Sequence, residues 1–333
     1  MVARTHGSFH KAGSRKMTNN TTLTAGIDTA KDKLDVAIHT TPFRLVVDNR
    51  RPGWRRLATE LTRAGAGKVG IEATGGYERG VVAHLRASGF EVVVLQPLQV
   101  KAFARLHLRR AKNDALDAEL IAACTAAVTP PAIAHDPRII PQADALTFIE
   151  QIEEDITRAK TRLEHIVDAR MQRIVKADIR RLENRRETEL RRIVQALHAH
   201  DDLAKRLQLV LSVPGIGERT ALAIVLRMPE LGQISREQAA ALAGLAPFDD
   251  DSGTRKGERH IAGGRARLRR SLYLAALPAA FRWNPALINL YKRLISRGKP
   301  HRIALVACAR KLIVYANAVV QRGEPWIKKQ AAV

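Results

Sequence analysis

Four carboxylates in the first third of the chain have the types and spacing of a metal site. Asp28 ends the apolar run TAGID, and Glu72 ends VGIE directly before the glycine-rich ATGG. Asp114 and Asp117 lie three apart in KNDALDAEL, so a helix would place them on one face. Carboxylates brought together repel one another unless cations neutralise them. Mg²⁺ prefers such oxygen ligands, and a pair of these ions promotes attack on a phosphodiester.

Each of these carboxylates also fits a purely structural role. Asp28 could begin a turn, and Glu72 could be an exposed strand end. Asp114 could cap a helix, with Asp117 in its first turn. A shared function therefore depends on the elements that would bring the four together.

Residues 22–128 alternate strand and helix patterns. The runs LTAGID, LDVAIHT and FRLVVDN predict three strands, followed by helix, strand, helix, strand and a closing helix, DALDAELIAACTAA. This is the order of a ribonuclease-H-like α/β domain. Because the first strand of such a sheet is central and a later strand pairs beside it, Asp28 and Glu72 would converge with the carboxylates of the closing helix.

Ser252 is a candidate of a different kind, a nucleophile. It follows three aspartates and precedes a basic segment, and its Asp-Ser-Gly context is that of an ordinary turn. A serine nucleophile needs activation or a strongly electrophilic phosphate, which neighbouring arginines could provide by neutralising phosphate oxygens. His260 is near but not adjacent. Residue types alone favour the turn.

The segment after Ser252 is strongly basic and interrupted by glycines. A charge run is usually a solvated face, but the glycines and the apolar helix that follows favour nucleic-acid contact, since arginine forks suit phosphate oxygens. We predict that the contacts come from Arg255, Lys256, Arg259, Arg265, Arg267, Arg269 and Arg270.

The stretch LVLSVPGIGERTALAIV, residues 209–225, predicts a helix, a tight turn and a second helix. Its turn residues are Pro214, Gly215 and Gly217, and it resembles a helix-hairpin-helix. In that motif glycines let backbone N–H groups approach a phosphate at a helix N-terminus. The alternative is a plain turn between helices. The predicted role is sequence-independent binding of the nucleic-acid backbone.

Composition points to a polyanionic partner. Lys and Arg number 56 against 33 Asp and Glu, a net charge of +23, which favours nucleic acid over a membrane surface. Two cysteines far apart exclude a disulfide framework or a zinc ligand set and fit a reducing cytoplasm. The apolar stretch IALVACARKLIVYANAVV contains Arg310 and Lys311, so we expect a buried helix and no membrane span.

Other segments complete the predicted organisation. Residues 1–21 lack an apolar core segment and read as a disordered basic leader, with no signal peptide. Residues 129–142 are a proline-rich linker. Residues 206–325 predict a helical C-terminal domain, and residues 326–333 a short tail.

Residues 143–205 contain neither Gly nor Pro, which predicts long helices. Apolar or small residues recur every three or four positions, and the pattern slips at Arg170. We interpret this seam as a coiled coil for oligomerisation, and the alternative is a helical hairpin or spacer. The first half of the seam consists of Ile149, Ile152, Ile156, Ala159, Leu163 and Ile166.

The three carboxylate segments together are similar to a known family. GIDTAKDKLDVAI, GIEATGGYE and KNDALDAELIA appear in the order and at the separations of the DEDD domain of bacterial insertion-sequence transposases of the one-ten family. The first domain of these proteins looks like a Holliday-junction resolvase (RuvC-like). The resemblance implies that Mg²⁺ is bound by Asp28, Glu72, Asp114 and Asp117.

The resemblance extends to the serine. Family members carry a proline, four residues and then Ser-Gly in a second catalytic domain, as Pro247, FDDD, Ser252 and Gly253 do here. It implies that Ser252 is a nucleophile that forms a phosphoserine link to DNA. In all, the resemblance covers residues 22–322, and it is weakest in the middle helical segment.

The function implied is a DNA transposase or site-specific recombinase. The family resemblance also implies a composite site shared between subunits, assembly into dimers and tetramers, and, in many members, a structured guide RNA encoded by the element. Some relatives are site-specific invertases. Two alternatives stay open: a metal-dependent junction endonuclease without a serine step, and a non-enzymatic nucleic-acid-binding scaffold.

Overall fold

The computed structural model describes residues 23–107, 114–128, 136–248, 257 and 260–327. The predicted leader, residues 129–135 of the predicted linker and most of the predicted tail lie outside these ranges. The chain divides into two units, residues 1–132 and 133–333, and each is described by itself.

The first unit is built on a five-stranded mixed sheet. Its strands are β1 (Leu23–Thr29), β2 (Lys33–Ile38), β3 (Arg44–Asp48), β4 (Ala66–Glu72) and β5 (Glu91–Leu95). They lie in the order β3-β2-β1-β4-β5. The first three strands pair antiparallel, and β4 and β5 run parallel to β1. The predicted mixed α/β first domain is confirmed, with its first strand central.

Four helices cover this sheet among the described residues: α1 (Arg51–Arg63), α2 (Arg79–Ala87), α3 (Pro97–Leu106) and α4 (Asp114–Ala127). One face of the sheet packs against α1 and α2 through a shared aliphatic core that includes Ile27, Ile71, Leu57 and Leu85. Helix α3 is absent from the sequence prediction. It begins with Pro97 in its first turn and a capping box formed by the Gln96 and Gln99 side chains.

The second unit is mostly helical. Its helices are α5 (Ile140–Glu164), α6 (Ala169–His198), α7 (Asp201–Leu211), α8 (Glu218–Arg227), α9 (Arg236–Leu242), α10 (Ala266–Pro278), α11 (Pro285–Ser296) and α12 (His301–Arg322). Two short strands pair antiparallel, β6 (Pro247–Phe248) and β7 (His260–Ile261). A π-helical turn, Ala279–Trp283, follows α10. One aliphatic core joins the start of α5 and the end of α6 to the later helices.

Helices α5 and α6 form a hairpin, which was the alternative to a continuous coil. The chain reverses between Glu164 and Ala169, and the Asp168 side chain caps α6 by accepting a bond from Met171 N at 2.7 Å. The seam of α5 packs against α6 of the same chain, with Ile152 and Ile156 on Ile179. Helix α5 starts at Ile140, inside the predicted linker.

Helix α12 is the apolar helix expected near the C-terminus. By length and composition it is the one helix among the described residues that could cross a membrane, and half of its apolar window is buried within the protein. Leu305, Cys308, Leu312 and Ile313 belong to the core of the second unit.

Candidate active site

Asp28 and Glu72 lie side by side at the ends of neighbouring parallel strands. Ile27 of β1 pairs with Ile71 of β4, so the next residue along each strand is one of the two carboxylates. Side chains alternate between the faces of a strand, and Ile27 and Ile71 point into the core with α1 and α2. Both carboxylates therefore lie on the opposite face, which α4 covers.

Two glycines allow α4 to lie directly on that face. A Cβ atom on Gly26 would be 2.2 Å from Ala122 N, and a Cβ on Gly70 would be 1.7 Å from Thr125 Oγ1. Only glycine fits such a close approach. Each glycine stands two residues before a carboxylate, so the repeated Gly-x-Asp and Gly-x-Glu spacing was a usable sequence signal for the helix contact.

The direction of α4 brings its acidic end to the same edge of the sheet. Lys68, near the start of β4, donates from Nζ to Val128 O at 3.1 Å, so the C-terminal end of α4 lies at the beginning of that strand. The N-terminal end, which contains Asp114 and Asp117, is then directed towards the strand ends that carry Asp28 and Glu72. Asp117 is partly buried, and the side chain of Asp114 lies outside the description.

Asp35 is a further carboxylate on this face, one that the sequence reasoning missed. It pairs directly with Asp28 across β1 and β2, and directly paired residues share a face. It is 9% exposed, and Lys33 Nζ lies 3.1 Å from its Oδ2. An aspartate inside the otherwise apolar run LDVAI was the signal, since buried carboxylates need a partner.

Mg²⁺ requires several oxygen ligands close together. Among the described side chains, no three of His, Cys, Asp and Glu stand together as a metal-binding group. The chemistry of the set nevertheless fits, because every predicted ligand is a carboxylate and Asp28 and Glu72 end neighbouring strands.

Ser252 lies outside the described residues, as do Gly253, Arg255, Lys256 and Arg259. The structure does describe the two short strands on either side of this segment, which form a stem. Pro247 pairs with Ile261 and Phe248 with His260.

Two glycines close the base of the stem. Gly244 and Gly264 both have positive φ, and a Cβ on Gly264 would lie 2.2 Å from Gly244 N. Arg265 N donates to Leu242 O at 2.8 Å. The two ends of the loop are therefore fixed against each other.

Arg265 and Arg269, both predicted to contact nucleic acid, form bonds within the second unit, and Arg269 holds the stem. Arg269 Nη1 donates to Gly263 O at 2.5 Å and to Gly244 O at 3.3 Å, one carbonyl from each side of the loop. Arg265 Nη1 donates to Glu230 Oε2 at 2.8 Å.

Arg267 and Arg270 reach back to carboxylates on α5. Arg267 Nη1 donates to Glu150 Oε2 at 2.6 Å, and Arg270 Nη1 donates to Glu154 Oε1 at 3.2 Å. Burial opposes ionisation of Glu150, but hydrogen bonds from Arg227 and Arg267 lower the pKa of its carboxyl below the usual value. A phosphate bound by Arg267 or Arg270 would have to replace these internal pairs, so for these residues nucleic-acid contact stays a prediction.

The PGIG turn joins α7 to α8 and packs against the π-helical turn. Gly215 has φ +94°, and a Cβ there would lie 2.4 Å from the Ala279 Cβ, so packing explains this glycine. Asn284 Nδ2 donates to Pro214 O at 3.0 Å. Gly217 is the N-cap of α8, and no described heavy atom lies within 4 Å of the Cβ it lacks. The predicted helix, tight turn and second helix are present, and the phosphate-binding role of the turn stays a prediction.

Two family models, both described as transposases, match this chain. A family model of the IS110 DEDD domain, described as a transposase, matches residues 25–175. A second, described as the transposase IS116/IS110/IS902 family, matches residues 207–292. The chain belongs to the IS110 family of transposases.

Two groups of relatives agree with this assignment. The chain is 25% identical over 316 residues to the pilin gene-inverting protein of Moraxella bovis, a match that covers 91% of this chain and 97% of that protein. The pilin gene-inverting protein of Moraxella lacunata gives the same identity and coverage. The insertion element IS110 uncharacterized 43.6 kDa protein of Streptomyces coelicolor is 35% identical over 114 residues, 34% of this chain and 28% of that protein.

Proposed function

We propose that this transposase cuts and rejoins DNA, with Mg²⁺ held by the carboxylates of the first unit and a serine nucleophile in the second. The observation that carries the proposal is the pairing of β1 and β4, which makes Asp28 and Glu72 neighbours beneath the helix that contains Asp114 and Asp117. The names of the Moraxella relatives, pilin gene-inverting proteins, support DNA rearrangement as the reaction.

The metal would be held by Asp28, Glu72, Asp114 and Asp117. When bound, Mg²⁺ supplies positive charge that stabilises the phosphate oxygens during substitution at phosphorus. The edge of the sheet and the close packing of α4 on it would position the carboxylate oxygens.

Ser252 would attack the phosphorus of a DNA phosphodiester through its hydroxyl oxygen. A new serine–phosphate ester bond forms, one DNA ester bond breaks, and the released DNA oxygen takes up a proton to become a hydroxyl. A DNA hydroxyl then attacks the phosphoserine and restores both the serine and a phosphodiester, so the number of ester bonds is unchanged. Fixing the loop at its base by Arg269 would limit the positions that Ser252 can adopt.

We further propose that a structured RNA encoded by the element guides the reaction, as the family resemblance implies. The net charge of +23 suits a second polyanion beside DNA. Assembly into dimers and tetramers is supported by an apolar stripe where the α5–α6 hairpin turns. Val167, just before the Asp168 cap, and Met171 and Ile174, in the first two turns of α6, are 94%, 51% and 49% exposed.

A strand-transfer assay on DNA that contains the flanking sequences of the gene tests the chemistry. We expect Asp28→Asn and Ser252→Ala each to abolish recombination, whereas Asp32→Asn, a change of a 74% exposed side chain on the neighbouring turn, leaves it intact. Ser252→Ala should also remove a covalent protein–DNA adduct.

Each alternative function gives a different result in the same assay. Dependence on Asp28 with full activity of Ser252→Ala would indicate a junction endonuclease without a serine step. Unchanged recombination in both Asp28→Asn and Ser252→Ala would indicate a non-enzymatic binding scaffold. RNA that copurifies with the protein and is needed for recombination would support the guide, and full activity after ribonuclease treatment would disprove it.

A further inference from the structure

Phe281 and Trp283 are two exposed aromatic side chains in the π-helical turn of the second unit. Each leaves 55% of its surface exposed, although aromatics make up only 4% of the chain. Pro278, the last residue of α10, has no N–H to donate. The chain then widens into a π turn, closed by a bond from Asn284 N to Ala279 O at 3.0 Å. Such turns are frequent at functional sites.

Neighbouring side chains hold the two rings in place. Phe281 meets Tyr291 edge-on, with ring centroids 4.9 Å apart. Tyr291 Oη lies 2.6 Å from His301 Nδ1. The Arg282 guanidinium lies 4.9 Å from the centre of the Trp283 ring. The rings are thus supported on one side while more than half of the Phe281 and Trp283 surfaces faces solvent.

The charged residues in the chain around the two rings are all basic. From Phe281 to Ile303 there is no Asp or Glu. All the cationic side chains here are exposed, and within the described parts of the chain none of them forms a salt bridge, unlike Arg267 and Arg270. These cations are Arg282, Lys292, Arg293, Arg297, Lys299 and Arg302.

We propose that this aromatic–basic surface binds an unpaired DNA strand, whose bases stack on Phe281 and Trp283 while its phosphates contact the unpaired cations. Base faces are open to a protein ring only when the strand is unpaired, since a duplex buries them against one another. A second copy of the chain is a poorer occupant because it would bring an identical cationic surface into contact with this one. The inference needs neither Ser252 nor the carboxylates.

Binding of labelled oligonucleotides to the full-length protein tests this surface. The probes are a 20-nucleotide DNA strand, the blunt duplex of the same sequence, the matching RNA strand and anionic lipid vesicles. We expect Trp283→Ala and Phe281→Ala each to weaken binding of the DNA strand by about 5-fold to 150-fold, the range for loss of one stacked base, and to change duplex binding by less than about twofold. Trp283→Phe should keep most of the affinity.

Matched variants separate stacking from charge and from unfolding. Phe148→Ala removes a 44% exposed ring on α5 and should leave binding of the strand unchanged. Arg282→Gln and Arg297→Gln should reduce the salt dependence of binding, whereas Trp283→Ala should not. Trp283 is the exposed one of three tryptophans, so the DNA strand should quench fluorescence in the native protein and not in Trp283→Phe.

Four results would overturn the proposal. The first is equal weakening of strand and duplex by Trp283→Ala, and the second is unchanged strand affinity in both alanine variants. The third is an effect confined to the RNA strand or to vesicles. The fourth is conversion of an oligomer to a monomer by Trp283→Ala, which would assign the surface to self-association. Because binding is measured without recombination, failure here leaves the serine and carboxylate proposal untouched.

Discussion

Gly70→Ala should push α4 away from the sheet, because the added methyl group meets the Thr125 side chain. Removing that side chain should let α4 pack on the sheet again. The three heavy atoms nearest to the added Cβ all belong to Thr125, with Oγ1 at 1.7 Å, Cβ at 2.7 Å and Cγ2 at 3.0 Å. Rotation of Thr125 cannot relieve the clash because its own Cβ stays too close. That rotation would also break the bond from Oγ1 to Ile121 O, 2.6 Å long.

The expected cost of Gly70→Ala is about 2–4 kcal/mol of unfolding free energy. Overpacking contributes about 1–3 kcal/mol, and the lost hydrogen bond about 1 kcal/mol. Thr125→Gly removes all three clashing atoms, so the double variant should be more stable than the sum of the single effects by at least about 1 kcal/mol. Thr125→Ala keeps the Cβ at 2.7 Å and should rescue less.

Gly26→Ala is the matched comparison, because its clash cannot be relieved by changing a side chain. The nearest atoms are Ala122 N, Ala118 O and Ala122 Cα, all of the main chain. Neither Ala118→Gly nor Ala122→Gly should restore stability.

Urea unfolding followed by circular dichroism measures these effects, and strand-transfer activity should be lost and regained in parallel. If Gly70→Ala costs less than about 0.5 kcal/mol, or if Thr125→Gly fails to rescue it, α4 does not lie on the strands as described. The account of how the carboxylates are positioned would then be wrong.

Three further predictions concern the second unit. Burial raises the pKa of the Cys308 thiol to about 11, so at pH 8 a thiol reagent should modify Cys308 only after the protein is unfolded in urea. Rapid modification of Cys308 in the folded protein would contradict its burial. Burial opposes ionisation of Glu150, yet the hydrogen bond from Arg227 lowers the pKa of its carboxyl. The ionised carboxylate therefore stabilises the fold at neutral pH, and this stabilisation is lost as pH falls below about 4.5. Glu150→Gln should therefore lower the unfolding free energy at pH 7 and make it depend less on pH in the acid range. An unchanged pH dependence in the acid range would refute this. Arg269→Ala should abolish strand transfer with less than about a twofold change in duplex affinity, since Arg269 binds Gly244 O; a large affinity loss would instead support direct DNA contact.

The strands and their carboxylates were predictable because local patterns carry them. Alternation of apolar residues marks β1 and β4, and Asp28 and Glu72 stand at the ends of those runs. The parallel pairing followed from the order of elements, which admits few sheet topologies. Helix α3 was missed because Pro97 and the short run after it resemble a loop when read without their packing partners.

Contacts between distant residues were not predictable. The reversal of the hairpin contains no Gly or Pro, and its one local signal, the Asp168 cap, is also common inside loops. Arg267 meets Glu150 from 117 positions away, and no local pattern records such a pair. Gly215 was visible as a turn residue, but its close approach to Ala279 depends on the tertiary fold.

A segment rich in basic residues is therefore a poor guide by itself to the nucleic-acid surface of this protein. The arginines of α10 sit in the most basic part of the chain, yet Arg267 and Arg270 bind carboxylates on α5, and Arg269 binds main-chain carbonyls. Cations that form no salt bridge within the protein are not neutralised and can pair with the phosphates of a partner. Within the described residues, the cations from Phe281 to Ile303 form no salt bridge, and exposed rings accompany them. We therefore expect that the pairing of charges in the fold, more than their density in the sequence, decides where this transposase binds DNA.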